Sequence, residues 1–313
     1  MSYPINIVSP QEADHNWRSL LKGKRIRYER KADINGCCIK LMTDEVETVN
    51  TFDENFYHLS EKIRSHGRLL VFDDGGENFR VEYEPISRSA FLWNCNYYGY
   101  VKSIALALAG DILEDLHRFY SVHGACLDYR GEGIALVGPS GAGKTTLSYG
   151  ILRRKKSRLI SDDWFYVRFQ GREATIMSSE KEVYIRGGIE KDWKDFEPLI
   201  EDARFDKKGR AVVNLKNLLG GEKIRSVTSL STFVLLKRDF KDEKLIEEVS
   251  REEMLKLMVE NNFYNPHLLV RDKRKQRLRK RFIKNLLDVA KPVVVNTTAT
   301  PEETVDLILE AVS

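Results

Sequence analysis

Residues 138–145 read Gly138-Pro139-Ser140-Gly141-Ala142-Gly143-Lys144-Thr145, a complete G-x-x-x-x-G-K-[ST] loop. An apolar run, Ile134-Ala135-Leu136-Val137, leads into it, and a helix-forming stretch follows from Thr146. Strand, loop and helix in succession commit this part of the chain to α/β layering, with the loop at the carboxyl end of a strand. Backbone N–H groups in such a loop turn inward around phosphate oxygens, and the helix N-terminus adds positive partial charge. The expected ligand is ATP with Mg²⁺. Lys144 reaches the outer phosphates and the Thr145 hydroxyl ligates the metal, while Gly138, Ser140, Gly141, Ala142, Gly143 and Thr146 line the nucleotide.

At 313 residues the chain has room for one large domain or two smaller ones. Its 51 basic and 47 acidic residues nearly cancel, so the net charge of +4 gives no case for a nucleic-acid partner. Cys37, Cys38, Cys95 and Cys126 form no C-x-x-C pair, which suits a reduced, cytoplasmic setting. The opening residues Met1 to Asn6 lack the basic-then-apolar pattern of a signal peptide. The longest apolar run, Ile104 to Ala109, is too short to span a bilayer, so no membrane partner is expected.

The pattern predicts a β-rich module over residues 1–100, with function unreadable, and a nucleotide-binding domain over 101–313. Within the first, period-two alternation marks strands at 24–29, 38–41, 68–72 and 79–83. The Asp-Asp-Gly-Gly run at 73–76 suggests a hairpin joining the last two, and a helix is expected over 54–65. Ile104, Leu108, Ile112, Leu116 and Phe119 then give one helical face. Further on, strands are expected at 125–129, 133–137, 158–161, 164–169, 182–185, 211–213, 231–236 and 291–296. The basic knot at 153–156 suits a helix C-terminus, and Pro301 with two acids suits a final helix start. A basic amphipathic stretch covers 271–284, with a solvated face or the docking of acidic groups as its two readings. Trp93, Tyr97, Tyr98 and Tyr100 suggest packing between domains, or else the lining of an acceptor pocket.

One helix and one strand after Lys144 come Asp162 and Asp163, at the expected carboxyl end of the strand 158–161. Ligands in open α/β sheets gather at that edge. Phosphoryl transfer needs a carboxylate toward Mg²⁺, and transfer to an alcohol gains from a second one accepting the hydroxyl proton. Neighbouring side chains on an extended chain diverge, so two adjacent acids can divide those tasks.

Taken in order, His123-Gly124-Ala125, the loop 138–145 and Arg158-Leu159-Ile160-Ser161-Asp162-Asp163 resemble the catalytic half of bacterial HPr kinase/phosphorylase, itself similar to the nucleotide core of phosphoenolpyruvate carboxykinase. Tyr184-Ile185-Arg186-Gly187 resembles that family's Glu-x-Arg-Gly signature, and residues 207–215 resemble a basic lead-in to a strand. The resemblance covers about residues 120–240. It implies a mixed α/β core of that type; the smaller β-rich N-terminal module lies outside the resemblance and is read from its strand pattern alone. It also implies Asp162 as general base, Asp163 nearer the metal, His123 beside the transferred phosphate and Arg186 facing the phosphoryl group, with Lys208 and Arg210 as weaker candidates for the same work. Such kinases are often oligomers, so the resemblance allows a second copy of the chain as a partner. Two departures stand out: Thr146 replaces an acid after the metal-binding hydroxyl, and Tyr184 replaces the signature glutamate, with Glu182 one alternation earlier. Both remove acids from the metal site and count against a reverse, phosphate-using reaction and against HPr itself as substrate.

The expected function is therefore a kinase moving the γ-phosphoryl of ATP to a hydroxyl on a peptide, a protein or a small molecule. The alternative is a nucleotide-binding regulatory ATPase, or switch, without an acceptor.

Overall fold

In the computed structural model, residues 5–181, 183–186, 189–198, 204–205, 210–213, 220–266 and 269–312 are described. The chain is mixed α/β and divides into two compact units. One comprises Met1–Phe119, Ser179–Lys181 and His267–Lys275; the other comprises Tyr120–Ser178, Glu182–Pro266 and Gln276–Ser313.

The first unit is built on a seven-stranded mixed sheet. Its elements are β1 (Ile5–Ile7), helix α1 (Pro10–Lys22), β2 (Tyr28–Ile34), β3 (Cys37–Thr43), helix α2 (Val46–Asn55), β4 (Tyr57–His58), β5 (Gly67–Phe72), β6 (Arg80–Glu84), β7 (Ser89–Trp93) and helix α3 (Tyr98–Leu116). The spatial order is β1-β6-β7-β5-β3-β2-β4. Three sequence expectations shift here. The strand expected at 24–29 is β2 instead, because Asn35 and Gly36, both at positive φ (52° and 82°), turn the chain back into β3. The helix expected at 54–65 lies upstream as α2, whose buried Val49 and Phe52 lead on to buried Phe56. β5 and β6 are not a hairpin. β7 lies between them, parallel to β5 and antiparallel to β6. The true hairpin is β6–β7, and its turn is held by the Glu84 carboxylate, which accepts from the backbone N–H groups of Ile86 (2.8 Å) and Ser87 (2.6 Å).

Helix α3 belongs to this first unit, beyond the boundary expected near residue 100. It has no single apolar face; nearly every side chain from Gly99 to Glu114 is buried. Buried charge is paired accordingly. Lys102 meets Glu180 at 2.8 Å, and Lys275 meets Asp111 at 2.7 Å, Glu114 at 2.6 Å and Asp115 at 3.2 Å. The aromatic run packs on itself inside this unit, with Tyr100 stacked on Phe79 at 4.6 Å and edge-on to Tyr97 at 5.2 Å.

In the second unit, β9 (Ala125–Tyr129) and β10 (Glu132–Val137) form an antiparallel pair, with β11 (Ser157–Ser161) outside β9. On its other side β10 runs parallel to β17 (Val227–Lys237), which is also parallel to β19 (Lys291–Asn296); β18 (Ile246–Glu248) closes that edge. The first residues of β17 pair instead with β13 (Glu173–Ser178), and the sheet continues through β12 (Trp164–Gln170) to β8 (Phe119–His123). One apolar core joins this sheet to helix α4 (Lys144–Leu152), to Trp193 and Phe196, and to the final helix Pro301–Val312. A second core receives the helices Arg251–Glu260 and Lys273–Val289. A small separate sheet holds β14 (Val183–Arg186), β15 (Arg204–Phe205) and β16 (Arg210–Val213) in the order β14-β16-β15.

The basic knot after α4 is structural. Arg153 pairs with Asp195 and Glu302 at 2.7 and 2.9 Å, and Arg154 with Glu302 and Asp306 at 2.6 Å each. The helix Lys273–Val289 turns Phe282, Ile283, Leu286 and Leu287 inward and exposes Arg277, Lys280, Arg281 and Lys284.

Candidate functional site

The loop leaves β10 at Val137 and enters α4 at Lys144, as the sequence leads one to expect. Gly143 sits at the helix N-cap with φ 91°, a left-handed conformation that a side chain would strain. Ser140 and Gly141 are exposed at the tip, while Gly138 and Ala142 are buried beneath it. The Lys144 ammonium folds back over the loop and donates to the carbonyls of Gly138 (2.8 Å) and Pro139 (3.0 Å). Burial pulls this ammonium below the usual lysine range, and the Asp163 carboxylate opposes that shift, which puts the two charges within electrostatic reach.

Asp162 and Asp163 form the bend between β11 and β12. The bend is tied to the end of β8, since the Gly124 N–H donates to the Asp163 carbonyl at 2.9 Å. Because β8 lies beside β12, His123 falls next to the bend: its Nε2 donates to Asp163 Oδ1 at 3.1 Å and its ring stacks on Trp164 at 5.6 Å, 16° from parallel. Three residues named from sequence, His123, Lys144 and Asp163, thus share one neighbourhood. Asp162 precedes Asp163 in the same bend. It is mostly buried, at 9% exposure, and its charge acts on the Tyr149 phenol in the core of α4. Burial first, and that carboxylate second, push the phenol well above its ordinary value.

Other expected residues are placed only in part. Arg186 ends β14 with its backbone opposite Arg210 in β16; the side chains of Arg186, Tyr184 and Arg210 lie outside the described residues, as do Glu182 and Lys208 entirely. Thr145 and Thr146 are half-buried in the first turn of α4. Sequence reasoning missed what holds that turn. The Thr146 hydroxyl donates to Asp192 Oδ2 at 3.1 Å, and Trp193 Nε1 donates to the Thr146 carbonyl at 2.7 Å. Both partners lie 46 and 47 residues downstream, beyond any local pattern. Among the described residues no group of three or more His, Cys, Asp or Glu is arranged to hold a metal, and no helix is long and apolar enough to cross a membrane.

No family model matches the chain. HPr kinase/phosphorylase of Latilactobacillus sakei subsp. sakei is 28% identical over 124 residues, 40% of this chain and 34% of that one. HPr kinase/phosphorylase 1 of Oceanobacillus iheyensis is 25% identical over 141 residues, 45% of this chain and 39% of that one. Over those stretches this chain is similar to HPr kinase/phosphorylases. The similarity spans 34 to 39% of the length of those curated relatives. Among solved structures, the Hpr(Ser) kinase/phosphatase from Coxiella burnetii aligns with 61% of this chain and 95% of its own, at 11% identity and a TM-score of 0.37.

Proposed function

We propose that this HPr kinase-like chain moves the γ-phosphoryl of ATP to a hydroxyl acceptor, a serine of a peptide or protein or a small alcohol, with Mg²⁺. The observation that carries this reading is the convergence of Asp163, bonded to His123, with Lys144 at the carboxyl edge of the sheet. A protein acceptor accords with relatives named as kinases of HPr.

The loop N–H groups and Lys144 would bind the phosphates; one of the three ammonium donors remains for a phosphate oxygen after Gly138 and Pro139 are served. Thr145 and Asp163 would hold Mg²⁺. One hydroxyl and one carboxylate suit a hard ion whose other oxygens come from phosphates and water. The ion supplies charge neutralisation along the transferring group. Asp163 has an imidazole and an ammonium beside it, which fits a carboxylate retained for a cation. Asp162 would be the proton acceptor. It takes the acceptor hydroxyl proton as the new O–P bond forms and the bond from the γ-phosphorus to ADP breaks. His123 and Arg186 would meet charge spreading over the phosphoryl oxygens.

The test is ATP-dependent phosphorylation screened over free amino acids, polyols, sugars and serine-bearing peptides, read by mass spectrometry against Lys144→Ala. Turnover that rises with one acceptor, and a product heavier by one phosphate, supports transfer. A slow ATP hydrolysis indifferent to every acceptor means the regulatory ATPase instead.

A further inference from the structure

Asp192 and Trp193 are consecutive, and both grip the same residue, one by its side chain and one by its backbone. Thr146 follows Thr145 directly and so sits in the first turn of the helix behind the loop. Trp193 is only 4% exposed, and its ring is covered by the Arg153 guanidinium at 4.7 Å, so the backbone next to Asp192 is anchored in the core. Asp192 itself is exposed. Its Oδ2 accepts from Thr146, and a carboxylate has a second oxygen with its own lone pairs to offer. A buried tryptophan thus holds a charged, solvent-facing carboxylate at the one helix turn that the proposed metal and nucleotide must approach. A brace for Thr146 alone would not need the charge, since any acceptor oxygen would serve.

We infer that Asp192 is a second carboxylate of the magnesium–nucleotide site, positioning a metal-bound water while Thr146 fixes its orientation. The inference rests on the kinase reading above. Its chemistry is that of an outer-shell carboxylate, whose loss typically weakens metal affinity about 10- to 100-fold. The same charge repels a triphosphate that carries no metal.

Two variants separate charge from bracing. Asp192→Asn keeps the size and an acceptor oxygen for Thr146 and loses only the charge; Asp192→Ala loses both. The measurement is ATP binding by calorimetry, in EDTA and then at increasing Mg²⁺, with circular dichroism reporting that each variant is folded. The expected result is that Asp192→Asn binds metal-free ATP at least as tightly as the parent yet needs roughly tenfold more Mg²⁺ for half-maximal tightening, and that Asp192→Ala is no better. If Asp192→Asn follows the parent's Mg²⁺ curve, the inference is wrong whatever Asp192→Ala does, and the kinase reading stands. A parent chain that binds ATP neither with nor without Mg²⁺ overturns both.

Discussion

Replacing Gly150 by alanine sets two ordinary rules against each other. Gly150 lies within α4, where exchanging glycine for alanine gains about 1 kcal/mol of helix propensity. A Cβ at this position would stand 2.5 Å from Trp193 Cζ2 and 2.6 Å from Val305 Cγ2, closer than real Cβ atoms approach their neighbours. Neither neighbour yields easily: Trp193 is pinned by its bond to the Thr146 carbonyl, and Val305 is fully buried in the final helix. Overpacking of this kind costs about 1–3 kcal/mol. If the indole swings aside, the lost hydrogen bond adds about 1 kcal/mol. The clash wins, and the net expectation is a destabilisation of roughly 1–3 kcal/mol, or about 2–4 °C in melting temperature per kcal/mol for a unit of this size. Urea unfolding followed by tryptophan fluorescence reads it directly, as a lower midpoint with an unchanged slope. A variant as stable as the parent, or more so, would refute the packing of the Trp193 segment against α4. A displaced indole also frees the turn holding Thr145, so ATP affinity should fall together with stability.

Lys144→Ala should abolish ATP use, and Asp162→Asn should lose about two to four decades of kcat while still binding nucleotide; normal turnover by the latter would end its assignment as base. His123→Ala should cost less, because the imidazole acts beside Asp163, and an unchanged rate would make the residue purely structural. Burial pushes the Cys37 thiol up to about 12, so at pH 8 its thiolate fraction is on the order of 10⁻⁴ and the folded chain should alkylate at half-buried Cys95 well before Cys37, as mass spectrometry of timed iodoacetamide reactions would show. Asp74 is held at about 2 by the Asn94 side chain, the Gly76 N–H and Arg80. Its folded value is below the unfolded one near 3.8, so its contribution is present above about pH 4 and disappears toward pH 2. Asn94→Ala should raise the value that carboxyl-detected NMR finds for Asp74, and an unmoved titration would contradict that geometry.

What could be read from sequence was local or short in reach. The loop and α4 follow from glycine spacing and an apolar run, and Asp162 and Asp163 were expected near the loop because one helix and one strand return the chain to the same edge. The β5–β6 hairpin failed because Gly75 in the Asp-Asp-Gly-Gly run does make a turn but says nothing of what pairs next; the deciding signal was Glu84, whose carboxylate ties the β6–β7 turn. Helix α3 defeated the amphipathic reading because its polar positions, Lys102, Asp111 and Glu114, are buried in ion pairs with residues far along the chain. The Thr146–Asp192 contact was invisible for the same reason. A threonine in a helix start and an aspartate in a short turn carry no shared pattern until folding brings them within 3.1 Å.

Strand β17 is a single continuous piece of backbone stitched into two ladders at once, antiparallel to β13 at its beginning and parallel to β10 and β19 along the rest. Sliding it by one residue would invert its inward and outward side chains in both ladders together, so neither could accommodate the slip independently. Insertions between homologous chains should therefore accumulate at the Arg130-Gly131 and Gly171-Arg172 corners, while the length from Val227 to Lys237 stays constant.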